Sequence, residues 1–264
     1  MKRYLFLLIL VLNLPNAWAG SQSQANALHE PAKIIKFAKD VEKYAASKGA
    51  RAFIIARKGR HDKDLPKGIK FTHTAVAVYS NITLNDGEEV QGYAIHNLYQ
   101  APEQSNRSRL VVDYPVDFFW GAKALKAGIL IPSQRVQEKL IQLLTSGDAA
   151  TLHNPKYSVI ANPFNTQYQN CTEYTLDLIN AAIYDTLDQQ QLKVNAKAHF
   201  TPQRVKTNPF KLMFGSMFMD DVTTKDHQGK VRTTTFVTLG KYLKANQLSD
   251  AFVTFDHRGA IQSL

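Results

Sequence analysis

The chain is predicted to be an α+β protein built on an antiparallel sheet, and three observations carry that prediction. Some segments repeat apolar residues at helical spacing while others are rich in β-branched and aromatic residues, so both element types are present. The segments do not alternate strand and helix regularly, as a doubly wound parallel sheet requires. Two adjacent strand-like runs also flank Asn85-Asp86-Gly87, a turn signal that reads as an antiparallel connection.

In chain order, residues 31–48 read as a helix, with Pro31 near the start, Ile34, Ala38, Val41 and Ala45 on one stripe, and Gly49 as the stop. The apolar run 52–56 reads as a buried strand, and the polar stretch 57–70, with Gly59, Pro66 and Gly68, as a loop. Residues 71–79 and 90–99 are the two adjacent strands, and 110–112 is a further short one before the aromatic cluster Tyr114, Phe118, Phe119 and Trp120. Ser133 is placed to cap a helix carrying Val136, Leu140, Leu143 and Leu144 that ends near Gly147. Residues 154–170 read as a loop, and 171–187 as a helix bearing Tyr174, Leu178, Ile179, Ala182 and Ile183. A hairpin of 221–224 with 231–237, a short helix near Tyr242 and a strand at 251–255 complete the chain.

The N-terminus has the order of a secretory signal: Lys2 and Arg3, an apolar run from Tyr4 to Leu12, then Ala17 and Ala19 as a small-x-small cleavage site. The expectation is a signal peptide over 1–19 and a single domain over 20–264, periplasmic or secreted. The 264 residues carry a net charge of +10 without a concentrated basic arm, which suits peripheral contact with anionic envelope surfaces better than nucleic acid. The oligomeric state is left open.

Chemistry centres on Cys171, the one cysteine. It forms no internal disulfide, so it is either a small buried hydrophobe or a nucleophile. Asn170 reads as the N-cap of the helix that follows, and Glu173 as its capping-box partner, which puts Cys171 in the first turn. There the helix dipole favours a thiolate, and the first-turn N–H groups are placed to hold an oxyanion. A nucleophilic thiol needs an imidazole. Of eight histidines, His73 and His96 sit within strand-like runs, where the pleat fixes their direction. Asn97, beside His96, faces the other side of the strand and takes over the orienting role if the register shifts by one. No His-Glu-x-x-His, paired cysteines, carboxylate-rich calcium loop, phosphate loop or Gly-x-Ser-x-Gly elbow occurs, so no metal and no cofactor is expected.

A strand histidine, a second histidine on the next strand and a later Asn-Cys opening a helix resemble the circularly permuted papain-like cysteine hydrolases, which include NlpC-type cell-wall enzymes and lecithin retinol acyltransferase-like proteins. The phrases Phe71-Thr72-His73-Thr74 and Asn97-Leu98-Tyr99-Gln100 also look like a bacterial exported family of unknown function. The first resemblance implies a papain-like fold of permuted order, its antiparallel sheet packed against the cysteine-bearing helix. It makes Cys171 the nucleophile, His73 the base and His96 the residue that orients His73. The implied activity is a thiol hydrolase or acyl transferase acting on an envelope amide or ester, with a peptide, glycopeptide or lipid substrate. The run from Pro209 to Met219, rich in Phe and Met, leans toward acyl chains. The rival reading is a non-catalytic envelope binding protein that retains the fold.

Overall fold

Strand β1 (Ala52–Lys58) is apolar along nearly its whole length and lies at the middle of the sheet, buried on both faces. A strand covered on both faces cannot show a polar side, so its sequence runs continuously apolar instead of alternating. The structure, a computed structural model, describes residues 26–84, 86–206 and 220–264. The expected signal peptide, Asn85 and the Pro209 to Met219 run lie outside the described residues.

Around β1 stand β2 (His73–Thr83), β3 (Glu89–Gln100), β4 (Ser108–Asp113), β5 (Ala124–Pro132), β8 (Ser249–Asp256) and β9 (Ile261–Ser263). They form one seven-stranded sheet in the order β4-β3-β2-β1-β5-β8-β9, with every pairing antiparallel. Between β5 and β8 in sequence, β6 (Gln203–Arg204) and β7 (Arg232–Thr233) make a separate two-stranded ribbon. The fold is thus α+β, with six α-helices among the described residues.

Strand alternation sorts the core into two layers. Ala52, Ile54 and Ala56 of β1 and Val76 and Val78 of β2 meet α3 (Gln134–Ser146), α4 (Cys171–Tyr184) and α6 (Phe236–Ala245), while α5 (Gln189–His199) packs on α4. Phe53 and Ile55 of β1, Ala75 and Ala77 of β2, and Ile95 of β3 meet α1 (Pro31–Ser47) and α2 (Pro115–Trp120). Helix α5 is fixed to α4 by Lys193, whose buried ammonium lies 2.7 Å from Glu173 and 2.8 Å from Asp177.

Several expectations are corrected. The hairpin of 221–224 with 231–237 does not form. Residues 232–233 pair with β6, and Thr235 starts α6 through a reciprocal capping box with Thr238. The Thr-rich run looked β-forming, but a threonine at the cap position satisfies orphan N–H groups that a strand would not create. The helix from Cys171 ends at Tyr184, because Asp185 turns left-handed at φ 54°, rather than at residue 187. Strand β5, helix α2 and helix α5 were not anticipated, although Asp188 is a recognisable N-cap that accepts from Gln190 and Gln191.

Two glycines explain how closely α6 approaches the sheet, Gly128 at β5 and Gly240 at β8. A Cβ on Gly128 would stand 2.4 Å from the Phe236 ring, and one on Gly240 would stand 2.2 Å from the Phe252 ring. Both neighbours are buried aromatic rings packed on each other at 5.6 Å between centroids, with planes tilted by 56°. Gly128→Ala and Gly240→Ala are each expected to cost about 1–3 kcal/mol, read as a lower urea midpoint with unchanged slope.

Candidate active site

Helix α4 begins as the sequence indicates. Asn170 is extended, at φ −121° and ψ 177°, and its Oδ1 accepts from the Glu173 N–H at 2.9 Å. Its Nδ2 donates to the Val159 carbonyl at 3.0 Å, which ties the helix start to the preceding loop. The capping box is only half made, because the Glu173 carboxylate turns to Lys193 instead of back to the N-cap. Burial, with Asp177 nearby, pushes Glu173 up to about 8 against the pull of Lys193. Cys171 occupies the first turn, 4% exposed, within the core layer that contains Phe71, Val76 and Leu98.

His73 opens β2 opposite Arg57 of β1 and is 1% exposed. Its ring stacks on Tyr99 at 4.8 Å between centroids and leans on Phe118 of α2 at 5.4 Å. Its Nε2 lies 2.8 Å from Asn97 Oδ1. The asparagine's orientation is fixed, since its Nδ2 donates to the Ile95 carbonyl at 2.9 Å and to Asp113 at 2.7 Å. Asn97 therefore presents an acceptor to His73, and Nε2 carries the proton. Nδ1 is left with a bare lone pair, and it has no hydrogen-bond partner among the described residues. Tyr99 donates its hydroxyl to the other oxygen of Asp113 at 2.7 Å. Arg57 lies over the Tyr99 and Phe118 rings and donates to the Phe118 carbonyl.

Burial, with the Arg57 guanidinium beside the ring, holds His73 well below the usual histidine range. The hydrogen bond to Asn97 opposes this less strongly. Asp113 is pushed up to about 6 by burial, against the hydrogen bonds from Tyr99 and Asn97. The resting state is thus a neutral imidazole held by a neutral amide, with a carboxyl behind it.

The structure therefore changes the orienting residue. His96 pairs with Val76 and Val112 and faces the α4 side of the sheet, opposite to His73, so it does not orient His73. Asn97 does, as the one-residue shift in register allows. Cys171 and His73 are not brought together. The thiol belongs to the α3–α4–α6 layer and the imidazole to the α2 layer, and no hydrogen bond joins the sulfur to either ring nitrogen. Sequence reasoning missed Arg57, Tyr99 and Asp113. Tyr99 shares its β3 face with Asn97 by simple alternation, whereas Asp113 required the β3–β4 register.

One feature of the sheet bears on the separation. The β2–β3 ladder runs from Thr83↔Glu89 to Val76↔His96 and stops there, so residues 73–75 pair with β1 alone. On the α4 side of this opening, the buried Thr74 Oγ1 also has no hydrogen-bond partner among the described residues. The opening is flanked by an unsatisfied polar atom on each face.

Residues 44–243 match a bacterial family described as "Uncharacterized protein conserved in bacteria". No curated protein and no solved structure matches the chain.

The site's charge state is open to measurement. Folded His73 refuses a proton that the unfolded chain accepts near pH 6.5, so its contribution to stability is present above that pH and is lost as pH falls below it. His73→Gln is expected to shrink the fall in urea-unfolding free energy between pH 7 and pH 5. In imidazole NMR spectra, native His73 is expected as the Nε2–H tautomer, and Arg57→Gln is expected to raise its pKa.

Proposed function

The chain belongs to the bacterial DUF2145 family, and from the site's geometry we propose that it is an exported thiol hydrolase or acyl transferase of the cell envelope, with His73 as base and Asn97 orienting it. The observation that carries this reading is the buried Nδ1 lone pair of His73, left unpartnered while Asn97 fixes the proton on Nε2. A buried polar atom without a partner costs about 1–3 kcal/mol and needs a reason; an imidazole base awaiting a proton donor is one. Along the chain, the order His73, Asn97, Cys171 is that of a circularly permuted papain-like domain, which this reading includes.

In the proposed reaction the Cys171 thiol gives its proton to Nδ1 as the sulfur attacks an amide or ester carbonyl, and the oxyanion that forms lies against the first turn of α4. The protonated His73 returns that proton to the leaving amine or alcohol, and water or an acceptor alcohol or amine then releases the acyl group. Because burial and Arg57 oppose an imidazolium, the proton moves with the attack and not before it. The reaction requires the thiol to reach Nδ1 through the opening in the β2–β3 ladder, which α4 contacts from both strands. Peptide, glycopeptide and lipid acyl groups of the envelope are all chemically suitable substrates.

A second reading rests on the separation itself. Thiol and imidazole stand on opposite faces of β2 with no bond between them, an arrangement suited to a non-catalytic envelope protein that retains the fold and binds such molecules.

Hydrolysis of p-nitrophenyl acetate separates the two. The catalytic reading expects turnover that Cys171→Ala abolishes and His73→Ala lowers by about 10²–10⁴-fold, with circular dichroism confirming that each variant is folded. Its acid limb is expected well below pH 6.5 and should move up in Arg57→Gln. Turnover indifferent to both substitutions, or none at all, would leave the binding protein.

A further inference from the structure

A cavity of about 420 Å³ opens between the end of α5, the β6 ribbon strand and one side of α6, away from Cys171 and His73. His199, Arg204 and Lys241 bring nitrogen donors to it, and Thr201, Gln203 and Asn246 add uncharged hydrogen-bonding groups. Among the described residues, no carboxylate lines it. Among the described residues, no ion pair engages His199, Arg204 or Lys241.

The ribbon beside the cavity carries an independent sign of the same deficit. Arg204 and Arg232 stand directly opposite each other across β6 and β7, and both are exposed. Directly opposed residues leave a ribbon on the same side, and like charges so placed repel. An anion held at this face would turn the repulsion into two charge-assisted contacts. The third side of the ribbon region is supplied by the loop before β2, where Gly68, at φ +95°, lies against the Gln203 carboxamide.

Size and polarity define the ligand further. The volume falls within the usual range for small-ligand pockets and exceeds what a lone phosphate would fill. Tyr242, whose hydroxyl is committed to Asn180 at 3.0 Å, contributes an aromatic ring, and Pro202 and Ala245 small apolar surfaces, to a wall whose other groups are hydroxyl, amide and cationic. Such a wall matches a polyhydroxylated body bearing one anion. We infer that this cavity is a binding site for a phosphorylated sugar, with Arg204 and Lys241 holding the phosphate and the amide and hydroxyl side chains holding the sugar. The site is separate from the proposed thiol chemistry and does not depend on it.

The test is isothermal titration of the full chain with glucose 6-phosphate, glucose and inorganic phosphate. The sugar phosphate is expected to bind, inorganic phosphate to bind more weakly, and glucose to give no heat. Arg204→Gln and Lys241→Gln should each weaken the sugar phosphate about tenfold or more, whereas Lys36→Gln, the same charge change on exposed α1, should leave it unchanged. Equal affinity for inorganic phosphate and the sugar phosphate would overturn the sugar part of the inference. Absence of binding at millimolar concentration, or equal weakening by Lys36→Gln, would overturn the site. Circular dichroism of the variants excludes misfolding as the cause, since all three positions are exposed.

Discussion

The structure depends on β1 being covered on both faces. Once helices bury both sides of the central strand, every residue of β1 and of the paired stretch of β2 is committed to one layer or the other by the alternation of the pleat. Ile54 and Ile55 are adjacent in sequence yet belong to different cores. The same rule sends Thr74 toward α4 and His73 toward α2, so the sheet decides which helix each polar side chain can meet. A surface sheet with one wet face would leave such groups free to choose water; here each one must find a partner in protein or remain unsatisfied.

The two buried polar clusters resolve that demand differently. Around Lys193 the charge is retained: one ammonium lies between Glu173 and Asp177, and three buried groups share an imbalance that pushes Glu173 up to about 8. This cluster sits directly behind Cys171 on α4, and it is the reason Glu173 is not available to complete the cap. Around His73 the charge is avoided. Asn97 satisfies one ring nitrogen, the Arg57 guanidinium discourages protonation, and Asp113 is partly relieved of its charge by burial. The outcome is an imidazole whose tautomer is set and whose second nitrogen is unused, placed where the β2–β3 ladder has opened. A structural histidine would gain from a second partner, so the vacancy has to be explained by chemistry or by cost.

The exterior presents the opposite electrostatic situation. The cleft beside α5 and α6 gathers cationic groups with no carboxylate among its described lining residues, and solvent tolerates this where the interior would not. The proposed thiol chemistry and the proposed anion site thus occupy different environments, one desolvated, with a neutral imidazole beside a buried guanidinium, the other wet and cationic.

Much of this was legible in local sequence. The β1 run, the β2 and β3 strands, the Asn170 cap and the first-turn position of Cys171 follow from patterns within a few residues of each other, where propensity and capping act. Alternation also implied that His73, if it met β3, would meet either His96 or Asn97. Other elements were hidden by residues chosen for distant partners. Gly128 and Pro132 make β5 look broken, yet the glycine is there because the Phe236 ring lies against it. The threonines before Phe236 resemble a strand until their hydroxyls are seen to cap α6. Only the tertiary structure decided that Asn97 holds His73, since that rests on the β2–β3 register, and only it placed Cys171 on the other face, since the side of a sheet on which a helix packs is set by long-range burial and not by any residue near either side chain.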